Sequence, residues 1–197
     1  MNKGRVEAFI DAIIAIILTV LILEIKVPDR PSLTAFFGEW RMAFSYLMTF
    51  ILVMFSWYVQ HEVFVLIKCV KLGGFIGICI WLFILSFLPL TTAFEGRFPS
   101  YWGADLIYLA MNWIWLISAR LMGYLLIRDN PDAKGLSSLC TRQGGVFMLV
   151  ANTVWCFFAA ALAFYMPFLG ILTPIVTVII QVISNYLYRN QIKTSNS

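Results

Sequence analysis

Charge is what this chain has least of. Only 12% of its 197 residues are Asp, Glu, Lys or Arg, against about 25% in a soluble globular domain, so an ordinary water-soluble fold is excluded. Histidine occurs once, at His61. With no paired acid motif inside the apolar stretches, the residues for an intramembrane hydrolase are missing and no enzyme is expected. The four cysteines, Cys69, Cys79, Cys140 and Cys156, lack paired metal-ligand spacing. Two of them, Cys79 and Cys156, fall inside apolar runs, where a small apolar role suffices. No cofactor or metal is expected. The formal charge of +4 sits in short loops, and no basic domain exists to hold a nucleic acid. Nor is any polar segment long enough for a second domain, so 1–197 reads as one membrane domain.

Apolar residues fill the space instead. They make up 61% of the chain, with a mean hydropathy of +0.88. A helix of about 20 apolar residues crosses a hydrocarbon core of about 30 Å. The runs are continuous rather than alternating, which predicts helices and not a β-barrel. Six spans are expected, over about 5–26, 41–66, 72–92, 104–127, 143–165 and 168–188. Pro28 and Pro31 stop the first, and Pro89 lies near the end of the third. Lys3 and Arg5 before an apolar run resemble a signal peptide, but Glu7 and Asp11 interrupt its start and no small-residue cleavage site follows Leu23. A retained span is expected.

Loop charges predict the orientation. Lys3, Arg5, Lys68, Lys71, Arg128, Lys134, Arg142, Arg189 and Lys193 fall on the side of the N-terminus, whereas Lys26, Arg30, Arg41 and Arg97 fall on the other. Basic residues concentrate in cytoplasmic loops, so both termini are expected in the cytoplasm. Trp40, Trp57, Tyr101, Trp102, Tyr165 and Tyr188 lie near expected span ends, as amphipathic interface residues do.

The most informative segment is Arg5-Val-Glu-Ala-Phe9-Ile-Asp11 and the aliphatic run after it. A carboxylate at the edge of a membrane span needs a partner or water. Arg5 and Asp11 are six positions apart and point in different directions, so Asp11 should look to another helix. Its candidate partners are His61, Arg120 and the Trp57 indole. Beyond Asp11, Ile16, Val20 and Leu23 recur at i, i+4 and i+7 and share one face, flanked by Ile13 and Thr19. Spacing alone leaves two readings open, a pore surface or a packing face of the kind any membrane helix carries.

Arg5-x-x-x-Phe9-x-Asp11 with Ile16 and Thr19 beyond it resembles the start of the transmembrane protein 175 family of lysosomal and bacterial potassium channels, whose signature is Arg-x-x-x-Phe-Ser-Asp. Trp57-x-x-x-His61, Ser86-Phe-Leu-Pro89-Leu-Thr91 and the six-span layout are similar too. Ile10 departs from the pattern, standing where the signature has Ser. The resemblance implies a multi-pass protein of the bacterial inner membrane that assembles as a homotetramer, with the first helix of each subunit lining a central pore. It further implies a narrow hydrophobic gate at Ile16, apolar rings at Val20 and Leu23, a hydroxyl at Thr19 that influences selectivity, and Arg5, Phe9 and Asp11 bracing the helix. Trp57 and His61 would be supporting polar residues.

No Thr-Val-Gly-Tyr-Gly segment is present to form a carbonyl filter. A ring of aliphatic side chains closes a pore by dewetting and offers an ion little in place of its hydration shell. Potassium and other monovalent cations should pass with weak preference for potassium. Glu24 would either ring the outer mouth or pair at the interface with Lys26. Two alternatives stay open: proton conduction using Asp11 or His61, and a small secondary transporter, for which Asn112, Asn152 and Gln181 are the sparse midspan polar groups.

Overall fold

The computed structural model describes residues 1–25, 27, 31–133 and 135–195, and among them every regular element is helical. In chain order they are α1 (Lys3–Leu23), α2 (Leu33–Gly38), α3 (Trp40–Leu66), α4 (Leu72–Leu85), α5 (Leu88–Arg97), α6 (Trp102–Asp129), α7 (Leu136–Gly144), α8 (Val146–Leu162) and α9 (Thr173–Ser195), with a short 3-10 turn at Gly170–Leu172 before the last. Among the described residues, five stretches are long and apolar enough to cross a membrane: α1, α3, α4 with α5, α6, and α7 with α8. This is a multi-pass membrane protein. Where a sixth span was expected lies a shorter apolar helix, Gly170–Tyr186. Lys26, Pro28, Arg30, Lys134 and the side chains of Arg142, Tyr188, Arg189 and Lys193 lie outside the described residues.

Three expected limits shift for local reasons. The third span was placed over 72–92 as one helix, but the chain breaks at Ser86–Phe87. Pro89 has no N–H and its ring opposes the carbonyl one turn back, so it fits only the first turn of a new helix, α5. That helix then runs to Arg97. The fifth span was placed over 143–165. It begins instead with α7 at Leu136 and bends at Gly145, whose extended backbone (φ −64°, ψ 174°) interrupts the helix. It stops at Leu162, before the turn in which Phe168 takes φ +82°.

The core is made by faces rather than by whole helices. α1 turns Val6, Ile10, Ile14, Ile17 and Leu21 inward against α3, α4 and α5, a stripe with helical spacing. Polar side chains pin three further helices together. Thr49 Oγ1 lies 2.8 Å from both Thr92 Oγ1 and Tyr108 Oη, joining α3, α5 and α6. α4 and α6 pack closely along their length, and Gly74 allows it. A Cβ there would meet Leu126 Cδ2 and Asp129 Oδ2 at 2.8 Å.

At the end of α6 two side chains clamp the segment that leads into α4. Asp129 Oδ2 accepts from the Gly74 N–H at 2.8 Å and the Lys71 N–H at 3.2 Å, so it caps the N-terminus of α4 from outside. Asn130 Oδ1 accepts from the N–H groups of Lys68 and Cys69, and its amide donates to the carbonyls of Cys69 and Leu126. Asn130→Ala strands two part-buried backbone donors, each costing about 1–3 kcal/mol. The expected result is a lower melting midpoint for the detergent-solubilised protein, with α4 more open to hydrogen exchange. An unchanged midpoint would remove the clamp from the account.

Candidate pore helix

The two faces of α1 are covered differently. Ile17 is 4% exposed whereas Ile16, one residue before it, is 60% exposed. Phe9, Asp11, Ala12, Thr19, Val20, Leu23 and Glu24 are exposed with Ile16, so the chain's own helices leave this side of α1 bare. The four residues expected to line a path, Ile16, Thr19, Val20 and Leu23, are therefore all directed away from the bundle. In Thr19 the hydroxyl donates to the Ile16 carbonyl at 2.7 Å. Its proton is thereby engaged within the helix, and its lone pairs remain as acceptors on the exposed face.

The N-terminal half of the helix is held by polar contacts. Of the three candidate partners for Asp11, the Trp57 indole fills the role, donating to Oδ1 at 2.8 Å. The Trp57 ring stacks on His61, with centroids 5.8 Å apart and planes 18° apart. His61 Nδ1 in turn lies 3.4 Å from Glu7 Oε1. Two successive turns of α1, at Glu7 and Asp11, are thus tied to two successive turns of α3. Trp57 thereby links α3 to α1. Glu7 was not singled out in the sequence, although its i, i+4 relation to Asp11 matches that of Trp57 to His61.

Other expected residues lie apart. Arg120 does not pair with Asp11 but donates through a terminal nitrogen to the Gly145 carbonyl at 2.7 Å, at the bend between α7 and α8. Arg5 and Phe9 line a shallow hollow beside Val6 and Phe75. Glu24 is the exposed C-cap of α1, and Lys26, its expected neighbour, lies outside the described residues. Ile10, which departs from the family signature, is fully buried in the inward stripe. Packing has replaced whatever contact a hydroxyl would make there.

Among the described residues no group of three or more His, Cys, Asp or Glu side chains is arranged to hold a metal ion. One acidic pair went unnoticed in the sequence. Glu95 of α5 and Asp105 of α6 are 1% and 0% exposed, and Asp105 Oδ1 accepts from the Gly170 N–H at 2.8 Å. Their signal was faint, since each falls near an expected span end where charge is common.

Residues 5–89, which contain α1 and its polar brace, match the family model described as the endosomal/lysosomal potassium channel TMEM175. That match covers less than half of the chain. A potassium channel of Chryseobacterium sp. (strain P1-3) is 36% identical over 101 residues, covering 49% of this chain and 50% of that protein. Another, from Chamaesiphon minutus, is 30% identical over 103 residues, covering 49% and 51%. The chain spans about half the length of the curated relatives it matches. In fold the likeness extends much further. The crystal structure of a lysosomal potassium-selective channel TMEM175 homolog from Chamaesiphon minutus superposes with a TM-score of 0.70 at 24% identity, covering 93% of this chain and 98% of that one. TMEM175 and these relatives are ion channels rather than enzymes.

Proposed function

We propose that the chain is one subunit of a homotetrameric, potassium-permeable cation channel of the bacterial inner membrane, with both termini cytoplasmic and 1–197 forming one six-helix unit. Four copies of α1 line the pore. Ile16 forms the narrow hydrophobic gate, Val20 and Leu23 add apolar rings toward the outer mouth, and Glu24 lies at that mouth. Arg5, Phe9 and Asp11, with Trp57 and His61, set the position of α1 within its own subunit. The observation that carries the reading is the bare face of α1. A helix whose inward stripe is complete, and whose opposite side presents the family's aliphatic positions, gains a partner only from other copies or from lipid.

An ion in such a path meets alkyl groups and the Thr19 oxygens, but no ring of carbonyls replaces its water. Discrimination then follows dehydration cost, which favours potassium weakly. Planar-bilayer recording with potassium on one side and sodium on the other tests this. A reversal potential displaced toward the potassium equilibrium is expected, and protein that carries no current would overturn the channel reading. Removing an acceptor in Thr19→Ala should lower the potassium-to-sodium permeability ratio by about twofold, the factor that accompanies ~0.4 kcal/mol of differential stabilisation. An unaltered ratio would take Thr19 out of the selectivity argument.

A further inference from the structure

Basic side chains gather at the N-terminal end of α4. Lys68 and Lys71 are exposed in the segment that leads into it, and exposed Arg128 lies over Gly73, where a Cβ would meet its Nη2 at 3.0 Å. The main-chain nitrogen of Met1 donates to the Val70 carbonyl at 2.8 Å, docking the start of α1, which carries exposed Arg5, beside the same segment. Among the described residues none of these four side chains makes an ion pair. The acids at this end do not answer them. Glu7 faces His61, Asp129 accepts from the backbone of α4, and Glu62 and Asp132 pair with none of the four. Asp29, the only acid outside the described residues, follows the opposite end of α1.

An apolar track starts from this basic end. Leu72, Ile76, Ile80 and Phe83 recur at i, i+4, i+8 and i+11 and are all exposed, so one face of α4 is bare along its length. Gly73 falls on one side of the track and Phe75 on the other. Arg128 therefore stands at one edge. At the other edge is a hollow of about 470 Å³, lined by Arg5, Val6, Phe9 and Phe75.

A bilayer sets such a face against lipid tails, and the loop charges set its basic end in the cytoplasmic leaflet, where acidic lipids attract Lys and Arg. A second copy of the chain carries the same excess of cations at this depth, so it would answer the charges less well than lipid phosphate does. From the unpaired cations and the bare track together, we infer that the subunit holds an acidic glycerophospholipid here. Its phosphate sits among Arg5, Lys71 and Arg128, one acyl chain follows the α4 track, and the other enters the hollow beside Phe9. The inference rests on the membrane orientation proposed above but not on conduction. A nanodisc with two identical leaflets tests it whichever way the chain is oriented and whether or not it conducts.

The full-length protein is placed in phosphatidylcholine nanodiscs with a trace of phosphatidylglycerol carrying a diazirine on one acyl chain. Photolysis and peptide mass spectrometry then report which residues the lipid touches. Labelling within 72–83 should exceed that from the matching diazirine phosphatidylcholine more than tenfold, because two basic residues at about fivefold each already account for that preference. Lys71→Gln and Arg128→Gln should each lower phosphatidylglycerol labelling about fivefold. Arg41→Gln, which removes an exposed cation at the start of α3, should leave it unchanged. Equal labelling by the two lipids would overturn the proposal and make the track an ordinary lipid-facing surface. Absence of label from 72–83 with both lipids would overturn it in favour of a second copy covering the track. The comparison of the two lipids decides the matter in the native protein even if a variant fails to fold.

Discussion

Ile16→Asn should raise the current carried by reconstituted protein about tenfold, the change that follows from ~1.4 kcal/mol off the barrier to permeation. A ring of isoleucines excludes water because the side chains offer it no hydrogen bond, and an ion cannot cross a dry constriction without shedding its shell. Asparagine is similar in length and supplies an amide donor and acceptor, so the ring wets at little change in helix geometry. The neighbouring residue provides the control. Ile17 is 4% exposed and packs in the core, so Ile17→Asn buries an amide and should lower yield and melting midpoint without raising current. If both substitutions behave alike, or if Ile16→Asn leaves conductance unchanged, Ile16 does not line the pore.

The two faces of α1 show how much the sequence reveals about a membrane helix. Every residue from Ala12 to Leu23 except Thr19 is apolar, so polarity cannot distinguish inside from outside. Spacing put Ile16, Val20 and Leu23 on one side, but the bundle alone decides that this side is bare and that Val6, Ile10, Ile14, Ile17 and Leu21 are covered. Asp11 was legible as a residue in need of a partner, because an unpaired carboxylate at a span edge is expensive, and Trp57 was among its candidates. Arg120 was a candidate too, but its contact with the Gly145 carbonyl is invisible until the bend at Gly145 is known. Helix breaks followed the same division. Pro89 announced an interruption, yet a proline admits either an end or a restart. The restart at α5 depends on the packing of α5 against α3 and α6.

Asp105→Ala should be among the most damaging single changes outside α1, and Asp105→Asn among the mildest. Asp105 Oδ1 holds the Gly170 N–H at 2.8 Å inside a turn where Phe168 is at φ +82°, a conformation that costs a non-glycine residue energy unless its surroundings impose it. Space there is tight as well, since a Cβ on residue 170 would lie 2.5 Å from the same oxygen. Alanine at 105 leaves a buried backbone donor without a partner and a void beside it, about 2–3 kcal/mol in total. For a chain of this length that corresponds to a midpoint lower by about 4–12 °C. Asparagine keeps an oxygen for the Gly170 N–H and adds an amide donor beside Glu95, the buried acid that Asp105 faces. It also removes one of two buried acids that cannot both be charged without cost. Its midpoint should match or exceed that of the native chain in fluorescence-detected melting. A fall as large as that of Asp105→Ala would mean that the turn between α8 and α9 needs the charge of Asp105 and not merely its oxygen.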